Sequence, residues 1–159
     1  MRSLGRPALK LAFILVQDTN IAQEIVQEAF TRLWASAKTP AAESDFRRYL
    51  YRTIANLAHD HHRKLGRFSA LPIPNRSLVN PLDEVERRSA GETLKTALGA
   101  LPLRERQALY LRYFEDQSFA ETARMMGAPQ VTVRVLVHRG LGKLRRILAT
   151  DVSPDRVVT

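Results

Sequence analysis

Apolar side chains recur along most of this chain at three- and four-residue intervals, the period of a helix packed on one face. Leu9, Ala12, Phe13 and Val16 mark a first helix. Pro7 opens it, because a proline's missing N–H is unpaired at a helix start anyway, and Met1–Pro7 reads as loose. Asp18 is placed to cap a second helix, Thr19–Lys38. Its stripe is Ile21, Ile25, Ala29 and Leu33, widened by Val26, Phe30, Trp34 and Ala37, with Trp34 expected in the core. Thr39-Pro40 breaks the pattern. Ser44 or Asp45 then caps a third helix, which ends near Leu65 with Gly66 just past it. Phe46, Leu50, Ile54, Leu57 and Ala58 are its inner positions. At ~1.5 Å per residue it is roughly 30 Å long.

The period then stops. Gly66–Asn80 holds Pro72, Pro74 and several Ser and Asn residues, the composition of an extended connector. Asn80-Pro81 starts a helix to about Gly99, with Val85, Leu94 and Leu98 inward. Pro102 starts another, with Leu103, Ala108, Leu109, Leu111 and Phe114 inward. Ser118 and Glu121 have capping-box spacing, and the short helix they open carries Phe119, Ala120, Ala123 and Met126 inward. Gly127 suits its left-handed cap. Pro129 restarts the chain, with Val131, Val133, Val135, Val137, Leu141, Leu144 and Leu148 apolar. Two short helices across a tight glycine turn predict a helix-turn-helix. No strand or internal repeat is visible. The expected fold is all-α: two small helical domains joined by a Pro-containing linker, the second a helix-turn-helix. The boundaries read 1–66, linker 67–80, 81–150 and a tail over 151–159.

Composition narrows the function classes. No apolar run approaches the ~20 residues of a membrane span, and the chain has no cysteine, so disulfides, thiol nucleophiles and cysteine zinc sites are excluded. The net charge of +9 is divided. Residues 1–65 hold ten basic and six acidic side chains, 66–100 five and four, and 101–159 ten and six. Two basic regions therefore flank a near-neutral middle, as a polyanion touched at two places would require. From Ala128 to Leu148 the charged residues are Arg134, Arg139, Lys143, Arg145 and Arg146, all basic. A helix of one sign opposite an apolar stripe suits a phosphate backbone, whereas solvated helices usually mix signs.

The third helix presents Arg47, Arg48, Arg52, Asn56, His59, Arg63 and Lys64 outward. With Tyr49 and Tyr51 it combines cations for a backbone and planar rings for unstacked bases, the needs of single-strand binding. The two tyrosines face nearly opposite ways, so one of them belongs to the core. Glu24, Gln27 and Glu28 share one face of the second helix and could meet a basic partner. His59 and His62 lie one turn apart without a further ligand in view, so no metal is expected. No Ser-His-Asp set, paired carboxylates or P-loop appears, so no enzyme activity and no cofactor are expected.

Three blocks, IAQEIVQEAFTRLW, FRRYLYRTIANLAHDHHRK and LPLRERQALYLRYF followed by SFAETARMMG and VTVR, resemble the bacterial extracytoplasmic-function sigma factors of the sigma-70 superfamily. The resemblance runs from Leu9 to Leu148. It implies a transcription initiation factor in the cytoplasm. The partners it implies are core RNA polymerase, through its clamp helices and flap, and promoter DNA, with an anti-sigma or recruiting protein as a further candidate. By matching position, Glu24, Gln27 and Glu28 are implied as clamp contacts. Arg47, Arg48, Arg52, Asn56, His59, Arg63 and Lys64 are implied at the melted promoter, with the loop Thr39–Ser44 holding an extruded base. Thr132, Arg134, His138, Arg139 and Lys143 are implied at the upstream element.

The chain departs from that pattern at both ends. Relatives usually have a longer lead-in before the first helix. In the recognition helix, Val135 and Leu136 stand where the family typically has serine and arginine, and Phe119 where a tyrosine hydroxyl often reaches a phosphate. Phosphate contacts position a protein without specifying sequence. The alternative reading is therefore a sigma-like interaction module that depends on a recruiting or anti-sigma protein, with Val135 and Leu136 as an apolar patch. A plain helix-turn-helix repressor would account for Leu98–Leu148 and leave the first two blocks unexplained.

Overall fold

The computed structural model describes residues 2–36, 43–68 and 90–151. Helices α1 (Arg2–Val16), α2 (Thr19–Ala35) and α3 (Glu43–Phe68) form one unit. The second comprises α4 (Ala90–Gly99), α5 (Leu103–Leu109) with a π-helical turn at Tyr110–Phe114, α6 (Phe119–Met126) and α7 (Gln130–Asp151). No strand occurs among the described residues. The expected linker beyond Phe68, the start of the Asn80–Gly99 helix with Val85, the base-holding loop over 39–42, Ala37, Lys38 and the tail beyond Asp151 lie outside the described residues.

Helix α1 is central. It packs on α2 and α3 at one side and on α4 and α5 at the other, so its buried set is wider than a single stripe: Leu4, Ala8, Leu11, Ala12, Ile14, Leu15 and Val16. The helix starts at Arg2 rather than at Pro7, and the expected loose lead-in is helical. A proline inside a helix loses one backbone bond, but here it sits early, and burial of Leu4 and Ala8 on the core carries the helix through. Asp18 caps α2 as expected, its carboxylate accepting from the backbone N–H groups of Asn20 (2.9 Å) and Ile21 (3.1 Å). Ile25, Ala29 and Leu33 are buried, but Trp34 is 62% exposed. Its ring rests 6.3 Å from that of the buried Phe46, which lies 6.2 Å from Phe30.

Helix α3 continues through Gly66 to Phe68. A glycine ends a helix by turning to positive φ, and Gly66 does not. Phe46, Leu50, Ile54 and Ala58 are buried as expected. Of the two tyrosines, Tyr51 is the buried one and Tyr49 the exposed one.

In the second unit Pro102 precedes α5. After Leu109 the coil widens, and the Glu115 N–H donates to the Tyr110 carbonyl five residues back (3.1 Å). The extra residue turns Phe114 out of the expected core stripe, and it is 51% exposed, stacked on Tyr110 with ring centres 5.5 Å apart. The capping box is half realised. Ser118 Oγ accepts from the Glu121 N–H (3.0 Å), but the Glu121 carboxylate turns to Arg48 instead. Ala120 is exposed, and Thr122 and Met125 are buried beside Ala123. Gly127 takes the left-handed cap, with φ 63°. In α7 a helix cannot bury alternate residues. Val133, Val137 and Gly140 therefore face in, and Val131 and Val135 face out.

The units share one continuous apolar core. Its polar centre is Arg106, a buried guanidinium that donates to four backbone carbonyls. These are Ile14 (3.1 Å) and Leu15 (2.7 Å) at the end of α1, and Gly99 and Leu101 (both 2.9 Å) at the end of α4. Helix C-termini leave carbonyls unpaired and carry partial negative charge, so one cation satisfies two of them at once. Burial lowers the Arg106 pKa to about 10, which leaves it charged at neutral pH.

Replacing Arg106 by Met keeps the apolar stem and strands four carbonyls. Hydrogen bonds to a charged group contribute ~1.5–3 kcal/mol each, non-additively. The expected loss in chemical denaturation is about 3 kcal/mol or more, with Arg106→Lys losing less. A loss below about 1 kcal/mol for the Met variant would contradict this role.

Candidate nucleic-acid and polymerase interfaces

Glu24, Gln27 and Glu28 are exposed together on α2, opposite Ala22, Ile25 and Ala29. Glu28 pairs with Arg32 one turn on (2.9 Å), both well solvated. A pair of this kind contributes little to stability, so the face is free to exchange partners.

The arginines of α3 are in a different position. Arg47, Arg48 and Arg52 face the second unit and are each engaged by it. Arg48 grips Glu121 with two nitrogens, Nε to Oε1 at 3.2 Å and Nη2 to Oε2 at 3.3 Å, while Nη1 reaches Asp45 (3.1 Å). The Glu121 carboxylate raises the Arg48 pKa above its ordinary value. Arg47 lies 3.6 Å from Glu115 and above the Tyr51 ring. Arg52 donates to the Arg124 carbonyl (2.6 Å) at the end of α6, against Gly127, where a Cβ would come within 3.3 Å of its Nε. Tyr51 donates its hydroxyl to Glu115 (2.9 Å). Burial first, then the Glu115 carboxylate, raise the phenol's pKa far above its usual range, so it remains a donor.

Farther along α3, Asn56 and Lys64 are exposed. Arg63, also exposed, pairs with Asp60. His62 donates a ring N–H to the Leu15 carbonyl (2.7 Å). His59 is half-buried, hydrogen-bonded to Gln107 of α5 and near Arg104.

On the second unit the expected upstream-reading residues divide. Thr132 is half-buried. Arg134 sits over the Phe119 ring (4.4 Å), as does Arg112 (4.7 Å). His138 and Arg139 are exposed. Lys143 clamps the Glu105 carboxylate at 2.9 and 3.0 Å. Because that carboxylate is buried, Lys143 holds α7 on α5. Val131 and Val135, 72% and 42% exposed, present an apolar strip one turn apart between these cations.

Sequence reasoning missed Glu105, Arg106, Glu115 and Glu121 as partners. Arg106 left a trace: it falls between Leu103 and Tyr110 on the inward face, where a cation is out of place. The others pair with residues 38 to 73 positions away, beyond any local pattern.

Two family profiles match. Sigma-70 region 2 covers residues 1–68, and sigma-70, region 4 covers residues 97–146. The ECF RNA polymerase sigma factor SigE of Mycolicibacterium smegmatis is 32% identical over 151 residues, spanning 91% of this chain and 58% of that protein. The RNA polymerase sigma-E factor of Streptomyces avermitilis is 30% identical, over 88% of this chain and 78% of that protein. The ECF RNA polymerase sigma factor SigW of Bacillus subtilis is 26% identical, over 87% and 81%. Among solved structures, the fold is shared by the sigma factor RpoE of Bartonella quintana, seen in complex with the anti-sigma factor NepR. The TM-score is 0.67 at 23% identity, covering 91% of this chain and 92% of that one.

His59 makes the contact between the units sensitive to pH. Desolvation first, then Arg104, His62 and Arg63, lower its pKa below 6.5, against a weaker opposite pull from the Gln107 hydrogen bond. The unfolded chain therefore takes up the proton at a higher pH than the folded chain. Stability present above pH 6.5 is lost as the pH falls towards the folded value. Melting temperature should be level well above pH 6.5 and decline as the pH falls below it. His59→Gln should flatten that decline, and an equally steep decline in the variant would assign it to another group.

Proposed function

The chain belongs to the extracytoplasmic-function sigma factors of the sigma-70 superfamily, and on that footing we propose that it directs core RNA polymerase to promoters and assists melting of the duplex. The observation that carries this is the exposed face of Glu24, Gln27 and Glu28 in the same fold as a basic α3 and an α7 whose charges from Arg134 to Arg146 are all basic. Polymerase meets the first through the cations of its clamp helices, and the polymerase flap meets the second unit. Promoter DNA meets Arg47, Arg48 and Arg52 of α3 with Asn56, His59, Arg63 and Lys64, and meets α7 through Thr132, Arg134, His138, Arg139 and Lys143. The work is binding, with no bond made by this chain, and it is done where the polymerase is, in the cytoplasm.

A second reading is supported by one feature of α7. Direct readout needs donors and acceptors aimed at base edges. Val131 and Val135 offer none, Arg134 is stacked on Phe119, and Lys143 is held by Glu105. On this reading the second unit adds affinity without much selectivity, and a recruiting or anti-sigma protein supplies the rest.

Two experiments test these readings. Run-off transcription with core polymerase should depend on the chain. Changing Glu24, Gln27 and Glu28 together to Ala should weaken co-purification with core polymerase about tenfold or more while circular dichroism stays unchanged; undiminished co-purification would overturn the α2 assignment. Selection of random duplexes by the full chain at moderate salt should return a broad pool whose affinity falls steeply as salt rises. A sharp upstream consensus would remove the second reading.

A further inference from the structure

Helix α7 keeps one face out of the fold. Val133, Val137 and Gly140 turn inward, while Gln130, Val131, Arg134, Val135, His138 and Arg139 are exposed. Successive helical residues turn by about 100°. Val131, Val135 and Arg139 therefore form one line along the helix, with Gln130, Arg134 and His138 on the line beside it. The rotation of this face is fixed from behind. A Cβ at Gly140 would lie 2.9 Å from Cδ1 of Leu109, so α7 sits close on α5. Lys143 ties the next turn to the buried Glu105 carboxylate.

The two valines occupy the first two turns of the second helix of a helix-turn-helix, the turns that meet base edges when such a helix enters the major groove. A valine has no donor or acceptor to offer there. The one group in that groove that an apolar side chain matches is the C5 methyl of thymine. Arg134 is engaged by the Phe119 ring of α6 (4.4 Å), which leaves the centre of the face to the valines. Their surroundings match phosphates: Arg139 continues the line, His138 lies next to it, and no acidic residue occurs from 130 to 150. We propose that Val131 and Val135 read thymine methyls in the major groove, so that the second unit selects a methyl group and not a hydrogen-bonding edge. Two features favour this occupant over a protein. Two valines fall short of the contiguous apolar patch of roughly 300–600 Å² that marks a protein-binding face, and the cations around them suit a polyanion. Burying one methyl corresponds to about three- to fourfold in affinity. Two such contacts give roughly tenfold, a preference shallow enough to leave a selected pool broad while weighting it towards thymine.

This inference rests on the reading that α7 meets duplex DNA, and the test separates the two. Duplexes recovered from the random pool by the full chain are copied once with dTTP and once with dUTP. The copies pair identically and differ in the thymine methyls alone. Titration at moderate salt, followed by fluorescence anisotropy, should show the uracil copy bound about tenfold more weakly. Val131→Ser with Val135→Ser should bind both copies alike, at about the affinity of the wild-type chain for the uracil copy. Both valines are exposed, so circular dichroism should not change. Gln130→Ala, which removes an exposed polar neighbour, should keep the discrimination. Equal binding of the two copies by the wild-type chain, or discrimination that survives in the serine variant, overturns the assignment. The α7 reading stands in that case if Arg139→Ala still weakens binding of both copies, and falls with it if Arg139→Ala has no effect. Should the free chain retain no duplex, the two copies of the random pool are titrated with the chain bound to core polymerase. A thymine preference there that the serine variant loses supports the inference, and equal binding or none overturns it.

Discussion

Everything in this fold leans on a cation without a carboxylate partner. Arg106 collects carbonyls from the ends of α1 and α4, and so ties the two units together at their helix ends. The reason is the geometry of helix ends: each leaves carbonyls that must find donors, and two such ends meet inside the core, where water cannot supply them. A guanidinium offers five donors in a plane. Leu98, Leu101, Leu109 and Leu111 can then pack continuously with Leu11 and Leu15, because the polar backbone between them has been dealt with. His62 adds a second donor to the Leu15 carbonyl and ties α3 to the same point.

Around that centre, charged residues fall into two classes that composition does not separate. Lys143 and Arg48 are both basic side chains on helices assigned to DNA, yet Lys143 holds a buried carboxylate and Arg48 a half-buried one. Removing Lys143 would strand Glu105 inside the fold, where an unpaired charge is costly. Arg48 faces a carboxylate that water partly reaches, and its release is cheaper. The same formal charge thus serves a buried carboxylate in one place and one that water partly reaches in the other.

The sequence disclosed the helices well where one face is buried and caps are local. Asp18, Ser118 and Gly127 act as their types and spacings suggest, and the second unit is a helix-turn-helix. It disclosed less where the outcome depends on distant chain. The inward face of α1 was underestimated because two sets of helices cover it. Trp34 lies exposed beside Phe46, an aromatic twelve residues away that is the buried one of the two. The valines at 131, 133, 135 and 137 follow a period of two that a helix cannot honour, so 133 and 137 are buried and 131 and 135 exposed. The candidate site was legible as a set of residue types on two faces. Their occupation by Glu115 and Glu121 was not, since nothing local links positions 48 and 121.

The π turn at Tyr110–Phe114 amounts to one residue more than an α-helix of the same rise would hold. Each helical residue turns the chain by about 100°, so that extra residue acts as a phase setting for everything after it. With it, Glu115 points at Arg47 and Tyr51, and the following turn delivers Ser118 to the start of α6. Take one residue out and the helix would regularise, Phe114 would swing towards the core, and the acidic side chain would rotate off α3. The coupling between the two halves of the molecule is therefore written in length as well as in charge: a single-codon change in this turn would retune it without altering any residue at the contact itself.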